Sequence, residues 1–267
     1  MSDIAIMTDS NCGIMPGCEP YSDIHIIPMP VLIDGETFYE GKSITADAFY
    51  RKLASDAAVS TSLPSPGDVM DMWASLLRDY REVVYIPMSS GLSTSCASAL
   101  ALASEGDFEG RVHVVDNHRI SVTQTQSVLD AYFLAREGRT GRQIKEQLGS
   151  EALDASIYTA VDTLKYLKRG GRITPAAAAV GTVLNLKPVL TIQGDKLDAF
   201  AKVRGMKAAF RTMCRAVRKD IDTRFSHLRD EGVLKLGMAE TDMDEKEFLS
   251  WKEKYQKCFP DMEIVHY

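Results

Sequence analysis

The sequence predicts a two-domain α/β protein in which each domain contains a largely parallel sheet with flanking helices. Three short apolar runs lead to this prediction: Ile4–Met7, Val83–Ile86 and Val112–Val115. Each run ends in polar residues and precedes a helical pattern, and this order is typical of buried parallel strands. At about 100–200 residues per domain, the 267 residues accommodate two domains. We place them at residues 1–150 and 151–267.

Turn and capping signals define the other elements of the first domain. The apolar run Ile24–Leu32 leads to an Asp34-Gly35 turn and then to Glu36–Tyr39, which predicts a hairpin. Thr45 is a helix cap, and the polar loop Ser60–Ser65 leads into the following helix. We therefore predict helices over residues 46–54, 66–79, 94–104, 121–136 and 141–148.

The second domain has a less regular pattern. Thr174-Pro175 places a cap and a proline before a small-residue helix. Gly194-Asp195 predicts a hairpin between two strands. The predicted strands cover residues 157–161, 189–192, 197–201 and 233–239, and the predicted helices cover residues 176–184, 206–227 and 245–257.

Charge, cysteine spacing and the length of apolar runs argue against several classes of protein. The net charge of −6 argues against a nucleic-acid-binding protein, which normally has a basic face. The five cysteines are scattered without a C-x-x-C pair, which indicates a reducing compartment. The longest apolar stretch, Ala176–Leu186, is shorter than the roughly 20 residues that span a bilayer. With no signal-peptide pattern at the N-terminus, we expect a cytoplasmic protein.

Familiar catalytic and cofactor motifs are incomplete. The stretch Gly35–Ser43 resembles a P-loop, but an extra residue separates its glycines and its context predicts a hairpin. No G-x-G-x-x-G is present, and Ser93 does not lie in a G-x-S-x-G motif. The histidines form neither H-E-x-x-H nor a pairing with cysteines. We therefore predict no cofactor, no metal site and no catalytic residue.

Three hydroxyl-rich segments stand at predicted strand ends or helix starts: Thr8-Asp9-Ser10, Ser60-Thr61-Ser62 and Ser89–Ser93. Ligands of parallel sheets bind at the carboxyl ends of strands, where helix N-termini and hydroxyls attract anions. The alternative is that these residues are ordinary helix caps. Arg204 would add charge to an anion site, although a solvated surface arginine fits the sequence equally well.

An apolar ligand is compatible with the small-residue segment Ala176–Gly181, which lets another group approach its backbone closely. Tight packing of a helix on a sheet explains the same composition. If the second domain closes a channel over an anion site, an acyl chain is the natural occupant, because each buried methylene contributes about 0.8 kcal/mol.

The hydroxyl segments belong to a longer series of motifs along the chain. The stretches are Met7–Ser10, Ser60–Ser65, Ser89–Ser93, Leu167–Arg172, Leu186–Leu190 and Lys202–Arg204. The series covers nearly the whole chain, and its order is more specific than any single stretch. It resembles the DegV family of bacterial lipid-binding proteins.

The resemblance implies two α/β domains with a long-chain fatty acid between them. It implies that the fatty acid carboxylate is held by Thr61, Ser62 and Ser93, with Arg204 nearby; Ser10, Ser90 and Gly91 are further candidates. It also implies a non-catalytic carrier that presents the carboxylate to a separate fatty acid kinase subunit, which forms an acyl phosphate for phospholipid synthesis. Transient membrane contact is compatible with this role. Four basic residues are candidates for docking the kinase, with a solvated corner of the protein as the alternative: Lys165, Lys168, Arg169 and Arg172.

The sequence departs from the family pattern at three places. The family ends in a His-x-Gly-x-Gly type loop, whereas this chain stops at Ile264–Tyr267, and we expect His266 to precede that loop. The second domain would then lack the terminal loop that helps to cover the head group. Leu63 stands where the family has glutamine, and Asn117 stands where it has serine.

Two other functions fit the sequence. One is a hydrolase or acyltransferase that uses Ser93 as its nucleophile, for which no general base is visible. The other is a binding module for another small anionic metabolite.

Overall fold

The structure, a computed structural model, describes residues 3–179, 186–194 and 196–266. The chain divides into two compact units, Met1–Leu153 and Asp154–His266. Both units contain strands and helices, so the predicted α/β class is confirmed.

The first unit contains most of the elements predicted for it. Its strands are β1 (Ile4–Asp9), β2 (Ile24–Ile27), β3 (Pro30–Ile33), β4 (Glu36–Tyr39), β5 (Val59–Thr61), β6 (Glu82–Ile86) and β7 (Val112–Val114). Its helices are α1 (Ala46–Ala54), α2 (Pro66–Asp79), α3 (Ser95–Ala103), α4 (Val122–Arg136) and α5 (Gly141–Ser150). Short 3-10 turns cover Ser10–Cys12 and Gly106–Phe108.

A parallel sheet in the order β2-β1-β6-β7 forms the centre of the first unit. The central strand β1 is buried along its length, and its side chains alternate between two apolar layers. Ile4 and Ile6 pack in a layer with residues of α4 and α5. Ala5 and Met7 pack in a layer with residues of α2 and α3, among them the fully buried Trp73. Helices therefore cover both faces of the sheet, as its apolar strands predict.

A second, antiparallel sheet in the order β4-β3-β5 belongs to the same unit. The predicted turn joins β3 to β4, with φ of 52° at Asp34 and 87° at Gly35. Positive φ at both central residues is characteristic of a tight hairpin turn. The prediction of a polar loop over 60–65 is wrong at its start, because Ser60 and Thr61 lie in β5 and pair with β3. That pairing brings together segments that are distant in sequence.

The second unit contains short strands and helices. Its strands are β8 (Ile157–Ala160), β9 (Leu186–Ile192), β10 (Asp198–Arg204), β11 (Leu236–Met238) and β12 (Ile264–His266). Its helices are α6 (Lys165–Gly170), α7 (Pro175–Ala178), α8 (Met206–Asp222), α9 (Ser226–Asp230) and α10 (Glu245–Cys258).

The expectation of a largely parallel sheet is wrong for the second unit. The sheet β10-β9-β8 is antiparallel, whereas β11 pairs in parallel with β12. The short connection between β9 and β10 contains Gly194 at a φ of 90°. So short a connection can join only antiparallel neighbours.

Two helices of this unit differ from the predicted ones. The helix predicted over residues 206–227 ends at Asp222, because Thr223 leaves the helical conformation, and α9 follows as a separate helix. Thr174 caps α7 as predicted, by accepting a hydrogen bond from the Ala177 amide at 3.3 Å. The remainder of that predicted helix, from residue 180, and the predicted turn residue 195 lie outside the described residues. No helix within the described ranges combines the length and apolarity needed to cross a membrane.

Candidate functional site

The parallel arrangement of β1, β6 and β7 brings three loops to one edge of the sheet. We call residues 9–12, 87–93 and 116–121 the carboxyl-edge loops. The second and third are joined directly: the Ser89 amide donates to the Arg119 carbonyl at 2.9 Å, and the Ser90 amide donates to Asp116 Oδ1 at 3.4 Å. This edge is where ligands of parallel sheets bind.

The Asp9 carboxylate is an internal acceptor at this edge. It is fully buried and accepts hydrogen bonds from the Met88 amide at 2.8 Å, the Asn11 amide at 3.1 Å and Gln124 Nε2 at 3.3 Å. Burial raises the pKa of Asp9, and the hydrogen bonds oppose that rise. Asp9 therefore ties the ends of β1 and β6 to the first turns of α4.

Ser10 is also bound within the protein. Its hydroxyl donates to Glu40 Oε2 at 2.5 Å and accepts from the Met29 amide at 3.0 Å. The residue is only 3% exposed. Burial is the largest cause that raises the pKa of Glu40. A ligand contact by Ser10 would have to replace one of these two hydrogen bonds.

The loop of residues 87–93 combines buried and accessible hydroxyls. Ser89 is buried, and its Oγ accepts from the Gly91 amide at 3.2 Å. Ser93 is half-buried, and its Oγ accepts from the Ser95 amide at 3.1 Å while lying 2.8 Å from Ser95 Oγ. If Ser95 donates between these two hydroxyls, the Ser93 proton remains available for an anion.

Thr61 is the last residue of β5, and Ser62 follows it. Strand β5 belongs to the antiparallel sheet of the first unit and not to its parallel sheet. Both Thr61 and Ser62 are exposed, and the Ser62 amide donates to the Pro30 carbonyl at 3.2 Å. Arg204 is the last residue of β10 in the second unit and is exposed. The structure thus joins Ser90, Gly91 and Ser93 in one loop, while the other predicted ligands come from separate elements.

A serine, a histidine and an aspartate meet at the carboxyl edge. His118 Nδ1 lies 3.4 Å from Ser90 Oγ and 3.8 Å from Asp116 Oδ1. A catalytic relay needs the two ring nitrogens to serve the serine and the aspartate separately. Here the same nitrogen approaches both groups, so this arrangement is not a relay.

The basic residues predicted for docking fall on and just after α6. Lys165, Lys168 and Arg169 are exposed on this helix. Arg172 is half-buried and donates from Nη1 to the Gly170 carbonyl at 2.8 Å. The arginine therefore helps to close the end of the helix, whereas the other three cations extend along it.

Sequence reasoning missed two buried polar residues that hold the carboxyl edge together. Arg119 donates to Ser127 Oγ at 3.1 Å and to the Glu151 carbonyl at 2.6 Å. Gln124 donates to Thr8 Oγ1 at 3.0 Å. The sequence contained a signal for Gln124. Later in α4, Val128 and Ala131 pack in the same layer as strand β1, and at the start of the helix the buried residues are polar.

Comparison with known proteins supports the resemblance. The profile of the family described as "Uncharacterised protein, DegV family" matches residues 3–266. A DegV domain-containing protein of Deinococcus radiodurans is 35% identical over 217 residues, which is 81% of this chain and 76% of the relative.

Two solved structures are similar over the whole chain. A DegV family protein from Thermus thermophilus, whose structure is described for its fatty acid binding, has a TM-score of 0.80 and 27% identity, covering 100% of this chain and 92% of that one. DegV from Bacillus subtilis, described as a fatty acid binding protein, has a TM-score of 0.80 and 26% identity with the same two coverages, 100% and 92%.

Proposed function

The chain belongs to the DegV family, and we propose that it binds a long-chain fatty acid and is not an enzyme by itself. The observation that carries the proposal is the half-buried Ser93 hydroxyl just before α3, in a chain similar throughout to fatty acid binding proteins. A helix N-terminus together with hydroxyl donors suits a carboxylate. The proposal includes a cytoplasmic location and no cofactor.

We propose that Ser93 is the central ligand of the fatty acid carboxylate. Ser95 donates to Ser93, which then donates to the ligand, and hydrogen bonds to charged groups stabilise by about 1.5–3 kcal/mol. The exposed hydroxyls of Thr61 and Ser62 and the Arg204 guanidinium complete the set, as the family resemblance implies. In this proposal Ser90 and Gly91 maintain the conformation of the loop. Ser10 supports the site through its hydrogen bonds to Glu40 and the Met29 amide and does not contact the ligand.

The acyl chain supplies most of the binding free energy in this proposal. Roughly a dozen buried methylenes would contribute on the order of 10 kcal/mol before the cost of immobilisation. Its location between the two units is part of the proposal and follows from the family resemblance.

The proposed role is to present the carboxylate to a separate kinase subunit. A carboxylate oxygen would attack the γ-phosphorus of ATP on the kinase, forming an acyl phosphate and releasing ADP. The exposed Lys165, Lys168 and Arg169 of α6 are the proposed docking residues. An acidic surface on the kinase would complement them.

Mass spectrometry tests the proposal directly. Purified protein is measured under native and then denaturing conditions, both as isolated and after incubation with oleate and palmitate. We expect a mass excess that matches one fatty acid per chain under native conditions and its loss on denaturation. Protein that stays bare after incubation would contradict fatty acid binding and favour another anionic ligand.

A further inference from the structure

The side chain of Asn117 is unusual among the buried polar groups of the first unit. The residue is 1% exposed and follows β7 at the carboxyl edge. Neither Nδ2 nor Oδ1 has a hydrogen-bond partner among the described residues. A buried amide without partners is costly, and most buried polar groups in folded proteins are paired.

The two residues beside Asn117 place it next to the hydroxyl loop. Asp116 accepts from the Ser90 amide at 3.4 Å, and His118 Nδ1 lies 3.4 Å from Ser90 Oγ. The backbone here is held in an uncommon conformation, with φ of 56° at His118 and 54° at Ser121. Such left-handed non-glycine residues persist where the surroundings impose them, and they cluster at functional sites.

Gln124 provides a contrast within the same region. Its Oε1 has no hydrogen-bond partner among the described residues, but its Nε2 donates to Thr8 Oγ1 at 3.0 Å and to the Ile86 carbonyl at 3.2 Å, so this side chain links β1, β6 and α4. Asn117 makes no comparable link among the described residues. Its amide therefore has no visible role in holding the fold, although leucine would fill similar space without an unpaired polar group.

We propose that Asn117 is a further ligand of the fatty acid head group, with Nδ2 donating a hydrogen bond to a carboxylate oxygen. The inference rests on the proposed function and adds a residue that favours a carboxylate over a neutral ester, because hydrogen bonds to an ionised acceptor are the stronger ones. The ligand satisfies the amide, and the ligand-free protein carries it unpaired. The unpaired amide lowers the stability of the ligand-free protein and provides a hydrogen-bond donor to the ligand, as is common at functional sites.

Asn117→Leu is the variant that separates binding from folding. We expect its ligand-free melting temperature to equal or exceed that of the wild type, because an unpaired buried amide is removed. Its affinity for oleate should be about tenfold or more weaker, while its affinity for methyl oleate should fall less, because a neutral ester accepts a weaker hydrogen bond than a carboxylate does. Ser98→Ala, in helix α3, is the control and should bind both ligands as the wild type does.

Equal oleate affinity in the wild type and Asn117→Leu would overturn the inference and leave fatty acid binding intact. A lower melting temperature with a parallel loss for both ligands would also overturn it, since Asn117 would then support the fold. A wild-type protein that binds no oleate would refute both this inference and the proposed function.

Discussion

Two hydroxyl-rich segments lie at the carboxyl ends of neighbouring parallel strands of the first unit, yet their side chains are placed differently. In Thr8-Asp9-Ser10, every residue is at most 3% exposed, and their side chains bond to other parts of the protein. In Ser89–Ser93, Ser90 is exposed and Ser93 is half-buried. We call the first segment, Thr8-Asp9-Ser10, the internal joint, because its side chains hydrogen-bond to other segments of the first unit. The second segment leaves hydroxyls accessible just before a helix. A similar composition is thus bonded within the protein in one segment and leaves hydroxyls accessible in the other.

The largest expected effect comes from removing the central acceptor of the internal joint. Asp9→Ala would leave the amides of Met88 and Asn11 without their acceptor in a buried region. At about 1–3 kcal/mol for each unsatisfied donor, we expect a loss of roughly 3–5 kcal/mol in the free energy of unfolding. Urea denaturation followed by circular dichroism measures it, and a loss below about 1 kcal/mol would contradict the assignment of Asp9 to the joint.

The accessible segment should show the opposite balance between binding and stability. Ser93→Ala removes the proposed donor to the carboxylate, and we expect fatty acid affinity to fall about tenfold to hundredfold. The stability loss should stay near 1 kcal/mol, because the Ser95 amide loses a cap-like contact at a helix start. Displacement of a fluorescent fatty acid measures the affinity, with Ser98→Ala within the following helix α3 as the control. Unchanged affinity would remove Ser93 from the site.

Ser10→Ala tests whether the joint is separate from the site. The change leaves the buried Met29 amide without its acceptor, and we expect it to destabilise the protein by about 1–2 kcal/mol. Fatty acid affinity of the folded variant should match that of the wild type. A large affinity loss with little change in unfolding would instead make Ser10 a direct ligand and erase the contrast between the segments.

The smallest effect is a change in how stability depends on pH. Burial raises the pKa of Glu40, so the folded state binds this proton more tightly than the unfolded state does. Stability from this group is therefore present at low pH and is lost as pH rises through the raised pKa. Glu40→Gln keeps an oxygen that can accept from Ser10, and we expect it to be more stable than the wild type at pH 7.5.

The stability gap between Glu40→Gln and the wild type should narrow towards pH 4, where Glu40 is protonated. Chemical denaturation at several pH values measures it. The raised pKa of Asp9 should leave a residual dependence of the same sign in both proteins. Parallel pH profiles for the two proteins would show that Glu40 does not contribute.

Much of the first unit follows from short-range pattern. The apolar runs that became β1, β6 and β7 are short and bounded by polar residues, and Thr45 and Ser65 each cap a helix where the sequence predicts one. The carboxyl-edge location of the hydroxyl segments follows from the parallel order. These features are predictable because each depends on residues only a few positions apart.

Pairings and burial were less accessible to sequence reasoning. Strand β5 exists because it pairs with β3, some thirty residues earlier, and its own residues read as a polar loop. In the second unit, the expectation of a largely parallel sheet did not anticipate the antiparallel order β10-β9-β8. Non-local backbone pairing is not encoded in a local pattern, which is why these elements were missed.

The sequence alone determined the α/β class, the main parallel strands, the helix caps and membership in the DegV family, because these depend on local periodicity and on an ordered series of motifs. Only the tertiary structure decided that Ser10 is bonded inside the protein, that Ser93 remains half-buried beside Ser95, and that the Asn117 amide is buried. The chemistry of a serine or an asparagine is the same in every sequence. What each one can bind depends on the donors and acceptors that folding brings to it from elsewhere in the chain.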